Sequence, residues 1–273
     1  MESIKRKDSA APVELADDHP GVGDTVYRAR RDEIAEAARQ LGPDDDAAPI
    51  VYTDEETATW ATASNALDEL HREYACAAYL DGVARLDLPR DRVPQIADVS
   101  ARLGQLTEWR FRAAPGLAPI REFYGGLGRR TFMSTQYVRH PSVPLYTPEP
   151  DIIHELVGHA NALAEPRFAE LYATAGEAGT RASDDELQRF SKTFWFTLEF
   201  GVVREDDAVK AYGAGLLSSY GELQKFREAE IRGWDPDEMA VTDYDIDTYQ
   251  PVLFAAPDFD TMVTDLTRWF ESI

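Results

Sequence analysis

Tyr146-Thr147-Pro148-Glu149-Pro150-Asp151-Ile152-Ile153-His154-Glu155-Leu156-Val157-Gly158-His159 is the stretch on which the reading of this chain turns. Pro148 and Pro150 cannot stand inside a helix, and Asp151 directly after them is a good N-cap. A helix is therefore expected over Asp151 to Ala164, with His154 in its first turn. On a regular helix a five-residue spacing sets two side chains about 140° apart, so shared ligation of a metal by His154 and His159 requires a locally widened, π-type turn. Gly158 would ease that widening. The zinc-peptidase pattern His-Glu-x-x-His has a spacing of four, which puts both rings on one face. Here the spacing is five, so Glu155 lacks the placement of a peptidase base and a zinc hydrolase is disfavoured.

A third ligand is expected from Phe194-Trp195-Phe196-Thr197-Leu198-Glu199-Phe200-Gly201-Val202-Val203. A carboxylate among so many large apolar groups is costly to bury unless a cation compensates it, which singles out Glu199. Two imidazoles and one carboxylate leave open positions on an octahedral ion, the pattern of non-haem Fe(II) oxygenases. Spacing alone leaves plainer readings open. A histidine pair on one helix is often structural, and a glutamate amid aromatics often points outward from an amphipathic helix.

The rest of the chain sets bounds. At 273 residues and 44% hydrophobic content, one domain with one substantial core is expected. The formal charge of −22, from 28 Lys and Arg against 50 Asp and Glu, argues against a nucleic-acid partner. Only Lys5, Lys7, Lys192, Lys210 and Lys225 among those cations are lysine, and this acid excess suggests a halophilic source ahead of the alternative, a GC-rich genome that favours Arg codons. No apolar run reaches the roughly 18 to 20 residues of a membrane span, and Met1 to Asp8 lacks a signal-like apolar stretch, so a cytoplasmic protein is expected. The lone Cys76 lies in an apolar context and reads as a buried structural thiol. Residues 1–17 read as a disordered tail and Asp44-Asp45-Asp46 as a solvated loop.

Helices are expected at Tyr27 to Leu41, from Thr53 to about Leu80 as one long element, and at Gln95 to Leu106, Arg167 to Ala178, Asp184 to Val203 and Pro257 to Phe270. Short extended pieces fit Trp109 to Ala113, Ala240 to Asp243 and Pro251 to Phe254. The fold class is mainly α with minor β.

From about Asp18 to Phe270 the chain resembles the catalytic domain of the tetrahydropterin-dependent aromatic amino acid hydroxylases. The resemblance rests on Asp18-His19-Pro20-Gly21, Val26-Tyr27-Arg28-Ala29-Arg30-Arg31, Thr135-Gln136-Tyr137-Val138-Arg139-His140, the Tyr146 to His159 run, Phe196-Thr197-Leu198-Glu199-Phe200-Gly201, and Ala211 to Leu223. It implies one catalytic domain over residues 18–273, with Fe(II) held by His154, His159 and Glu199, and tetrahydropterin and O2 as co-reactants. It further implies that Arg139 clamps the substrate carboxylate, oriented by Asp151, with Thr147 and Ser218 as further substrate contacts. Phe123 would stack on the pterin, with Gly116, Leu117 and Glu155 facing it. Trp195 matches the phenylalanine and tyrosine hydroxylases and Ile246 the phenylalanine hydroxylases, so together they make 4-hydroxylation of L-phenylalanine to L-tyrosine the expected activity, with tryptophan hydroxylation the alternative.

Three positions depart from the family pattern: Phe194 where tyrosine is usual, Met133 where His or Gln is usual, and Ile120 where serine is common. They keep a non-catalytic ligand-binding relative in play. No regulatory domain before His19 and no tetramerising tail after Phe270 is expected, hence a monomer or at most a weak dimer.

Overall fold

The computed structural model describes residues 15, 19–42, 47–147, 149–246 and 248–273. The expected tail, apart from Leu15, the acidic Asp44 to Asp46 loop, Asp18 and Pro148 lie outside the described residues. Helix α1 (Thr25–Arg39) starts where the Asp24 carboxylate accepts from the Val26 and Tyr27 amides. Helix α2 (Asp54–Tyr74) starts on a capping box, the Thr53 hydroxyl bonding the Glu56 amide while Glu56 reaches back to Thr53. Both starts follow from short polar side chains placed to satisfy amides that a helix leaves orphaned.

The long helix expected to run to Leu80 is broken. Ala75 turns extended, the Cys76 amide donates to the Ala211 carbonyl at 2.9 Å, and a new helix α3 (Ala77–Leu86) begins. A long-range backbone pairing, invisible to local periodicity, wins over helix propensity at this point. Helix α4 (Ile96–Leu106) buries Ile96, Val99 and Leu103 on one face. Strand β1 (Arg110–Ala113), helix α5 (Ile120–Gly128) and strand β2 (Thr131–Ser134) then form a small crossover, β1 and β2 pairing in parallel.

The segment after Asp151 begins as α-helix and widens into a π-helical turn over His154–Ala160, relaxing to α6 (Asn161–Leu163). Helix α7 (Pro166–Arg181) lies across α5 so closely that a Cβ on Gly176 would sit 2.1 Å from the Gly128 nitrogen. Helix α8 (Asp184–Phe194) opens on a second capping box, Ser183 with Glu186, and runs into another π-helical turn, Trp195–Glu199. The helix expected to reach Val203 therefore stops at Glu199. Val202 and Val203 belong instead to β3 (Val202–Glu205), which folds back on β4 (Ala208–Ala211) through Asp206 and Asp207, both at positive φ.

Short helices α9 (Ala214–Ser218) and α10 (Tyr220–Leu223) precede β5 (Glu230–Gly233), α11 (Pro236–Met239), β6 (Val252–Ala256) and α12 (Phe259–Glu271). The second sheet has the order β4-β3-β6-β5, antiparallel at β3/β4 and parallel elsewhere. Ala240 to Asp243, expected as strand, is the exit from α11, where the Thr242 amide bonds back to the Glu238 carbonyl. The mainly helical class with minor sheet stands, and no described helix is long and apolar enough to cross a membrane. Trp60, Trp109, Tyr79, Tyr172 and Phe190 fill the core that backs the two π-helical turns.

Candidate metal centre and its surroundings

The two π-helical turns bring three expected groups together. His154 and His159 meet edge to face, their Nε2 atoms 3.1 Å apart. From the second turn, the Glu199 carboxylate places Oε1 3.4 Å from His159 Nε2 and Oε2 3.9 Å from His154 Nε2. The widened turn is what allows rings five residues apart to face one point. Gly158 serves it by its lack of a side chain: a Cβ there would lie 2.7 Å from the Ala214 carbonyl oxygen, so α9 packs directly on the turn.

The protonation of both rings follows from their outer neighbours. Ser218 Oγ lies 2.8 Å from His154 Nδ1 and also 2.8 Å from the Ala214 carbonyl, to which only the hydroxyl can donate. Ser218 must then accept from His154 Nδ1–H. Tyr172 Oη likewise donates to the Leu198 carbonyl at 3.3 Å and accepts from His159 Nδ1 at 3.0 Å. Each neutral imidazole carries one proton, so both Nε2 atoms present lone pairs. Burial holds His154 down to about 4 and His159 well below its ordinary value, so neither ring charges at neutral pH. Two lone pairs and a carboxylate converge with no proton between the nitrogens, an arrangement that is repulsive unless a cation occupies the gap. Two nitrogens bound at right angles at about 2.1 Å from one ion would be about 3.0 Å apart, close to what is seen. The donor set fits a divalent first-row metal.

Glu155 also offers an oxygen, its ligand atom and those of both histidines lying within 4.8 Å of one another. Its carboxyl is otherwise engaged: Oε1 accepts from the Thr135 amide at 3.3 Å and hydroxyl at 3.2 Å. Burial, with the Glu199 charge nearby, pushes it up to about 8. Glu199, reaching both nitrogens with two oxygens, is the better third donor.

Arg139, 3% exposed, is gripped by Asp151 through its amide at 2.8 Å, Nε at 3.0 Å and Nη2 at 2.9 Å. The same Asp151 accepts from the His154 amide, so one carboxylate ties the guanidinium to the first π-helical turn. Two of the five guanidinium N–H bonds are used, which leaves donors for a second carboxylate. Thr147 Oγ1 is buried with no hydrogen-bond partner among the described residues. The hydroxyl of Ser218, expected as a substrate contact, donates to the Ala214 carbonyl and accepts from His154.

Trp195 stacks on Tyr244, centroids 4.3 Å apart and planes 11° from parallel, and lies against Phe200 on another side. Ile246 stands on the loop before β6 and is 41% exposed. Half-buried Phe123, on α5, meets Phe132 and Phe194 edge-on, and Phe132 in turn lies 4.5 Å from the His159 ring. Gly116 and Leu117 lie in the loop joining β1 to α5. Phe194, the departure from tyrosine, packs among Tyr124, Tyr172 and Phe190. Sequence reasoning missed Tyr172, Thr135 and Gln250. Each is marked by a hydrogen bond to a residue distant in sequence, and no local pattern signals it.

A profile of the biopterin-dependent aromatic amino acid hydroxylases matches residues 2–273. The chain is 49% identical over 243 residues to the phenylalanine 3-hydroxylase of Streptomyces coeruleorubidus, covering 89% of this chain and 87% of that one. It is 42% identical over 265 residues to the phenylalanine-4-hydroxylase of Dictyostelium discoideum, covering 95% of this chain but 60% of that longer protein. The phenylalanine hydroxylase of Chromobacterium violaceum, solved with bound iron(III) and oxidised 7,8-dihydrobiopterin, superposes with a TM-score of 0.76 at 32% identity, over 81% of this chain and 82% of that one. This protein belongs to the biopterin-dependent aromatic amino acid hydroxylase family.

Proposed function

We propose that this protein hydroxylates the ring of L-phenylalanine, at position 4 to give L-tyrosine, using O2 and a tetrahydropterin at a single iron(II) held by His154, His159 and Glu199. The observation that carries this reading is the convergence of two unprotonated Nε2 atoms and a carboxylate on one point beside a buried arginine. Iron(II) and reduced pterin supply the activation of O2, chemistry for which no amino acid side chain suffices.

The protein's own residues bind and orient. Arg139, stiffened by Asp151, takes the substrate carboxylate in a forked, charge-assisted contact, and Thr147 Oγ1 gains there the partner it otherwise lacks. Trp195, with Tyr244 behind it, and Ile246 bound the space for the aromatic ring. Phe123 offers a face to the pterin, with the Gly116 and Leu117 backbone and the carboxyl of Glu155 around it. The aromatic packing of Phe123, Phe132, Phe194 and Tyr172 keeps water from that side of the centre.

A second reading concerns only the position of attack. The 49% identity to a phenylalanine 3-hydroxylase favours attack at position 3, giving meta-tyrosine. One experiment decides: anaerobic loading with Fe(II), then O2 and a synthetic tetrahydropterin, with phenylalanine, tryptophan and tyrosine compared and the tyrosine isomers resolved by chromatography. The expected product is para-tyrosine from phenylalanine. Meta-tyrosine as the main product selects the second reading, and turnover of tryptophan or tyrosine alone sinks both.

A further inference from the structure

Gln250, 5% exposed, stands just ahead of β6 where the second π-helical turn, α10 and the loop carrying Ile246 meet. Its Oε1 accepts from Trp195 Nε1–H at 2.9 Å, while Nε2 donates to the carbonyls of Asp245 at 2.7 Å and Thr248 at 3.2 Å. Its backbone amide donates to Glu222 Oε1 at 2.7 Å. The amide orientation is fixed by chemistry, because a flipped group would set NH2 against the indole N–H and an oxygen against two carbonyls. One buried side chain thus joins an aromatic ring four residues before Glu199 to the backbone on both sides of Ile246.

We propose that Gln250 is a positioning and specificity-determining residue, which fixes the plane of the Trp195 indole and the seat of the backbone at Asp245 and Thr248 as a single unit. The proposal rests on the phenylalanine reading, in which that ring and that loop bound the aromatic pocket. Three polar groups depend on this amide: the indole N–H and two carbonyls. Without it the indole N–H loses its acceptor and the two carbonyls their shared donor, and both the Trp195–Tyr244 stack and the loop lose their common anchor. A substrate ring held by a loosened wall binds less tightly and is presented less accurately. The expected signature is a raised KM for phenylalanine and pterin oxidised without matching hydroxylation, while kcat for pterin oxidation changes little.

The test is a cycle of Gln250→Met, Trp195→Phe and the double variant in the iron-loaded enzyme, reading KM, kcat and hydroxylated product per pterin oxidised. The Trp195 indole N–H resonance, identified by its loss in Trp195→Phe, is followed alongside. Gln250→Met is expected to raise KM by about five- to tenfold, with kcat within about twofold, to lower the product-to-pterin ratio and to shift the indole resonance. In the Trp195→Phe background, which has no indole N–H to hold, the same change is expected to raise KM by only about two- to threefold, the share that comes from the two loop carbonyls. Equal effects in both backgrounds, or an unchanged KM and ratio in Gln250→Met, overturn the proposal. Should Gln250→Met fail to fold, Gln250→Asn, one methylene shorter and unable to span all three partners, is read in the same cycle with the same two outcomes. A wild-type protein that hydroxylates no aromatic amino acid overturns the phenylalanine reading and this one together, whereas an active wild type with the wrong cycle overturns this one alone.

Discussion

The Nε2 atoms of His154 and His159 face each other at 3.1 Å while each ring's Nδ1–H is bound by a hydroxyl, Ser218 for the first and Tyr172 for the second. Those two hydroxyls, each anchored to a backbone carbonyl, decide which nitrogen is free to ligate.

Removing either hydroxyl should weaken metal binding without touching a ligand. Ser218→Ala and Tyr172→Phe are each expected to lower Fe(II) affinity about 10- to 100-fold, measured by competition with a chromophoric chelator. Unchanged affinity in both variants would mean that the tautomers are set by something else.

Gly158→Ala tests the packing beneath the centre. The added methyl would meet the Ala214 carbonyl oxygen at 2.7 Å, a backbone atom that cannot swing aside, so α9 and Ser218 must shift. A loss of about 1 to 3 kcal/mol in urea melts is expected, together with weaker metal binding. A variant as stable as the wild type would show that the contact is looser than described.

Much of this was legible beforehand, and the exceptions share a cause. The five-residue histidine spacing demanded a widened turn, and one is present. Thr53 with Glu56 announced the start of α2. By contrast, α5 carries Gly125, Gly126 and Gly128, which depress helix propensity, yet it forms because Gly128 meets Gly176 of α7 at backbone distance. The α2–α3 break and the seating of β3 beside β6 depend on pairing with distant residues, as the link from Tyr172 to His159 depends on the meeting of two separate helices. Local pattern carries information about caps and faces, not about such partners.

Glu222 gives a pH signature away from the metal. Burial pushes its carboxyl up to about 7, against a hydrogen bond from the Gln250 amide that lowers it. Between 4.5 and about 7 the folded chain then binds more protons here than the unfolded chain. This group's contribution is therefore most favourable below pH 4.5 and declines as the pH rises to about 7. Glu222→Gln, which keeps the acceptor without the charge, should gain on the wild type between pH 5 and pH 8 by up to roughly 3 kcal/mol in urea melts. A difference that stays flat across that range would contradict the assignment.

Cys76 should be chemically silent. The thiol is fully buried and burial pushes it up to about 12, so almost no thiolate forms at neutral pH. Ellman's reagent is expected to leave the native protein untouched and to titrate one thiol per chain in guanidinium. Rapid labelling of the native protein would place Cys76 nearer the surface.

Two carboxylates lie near the histidine pair, and Glu199, not Glu155, is the proposed metal ligand. Iron bound per chain, measured after anaerobic Fe(II) loading and desalting, is the direct test. One iron is predicted in the wild type and in Glu155→Gln, with essentially none in His154→Ala, His159→Ala or Glu199→Ala. Iron retained by Glu199→Ala and lost from Glu155→Gln would contradict it.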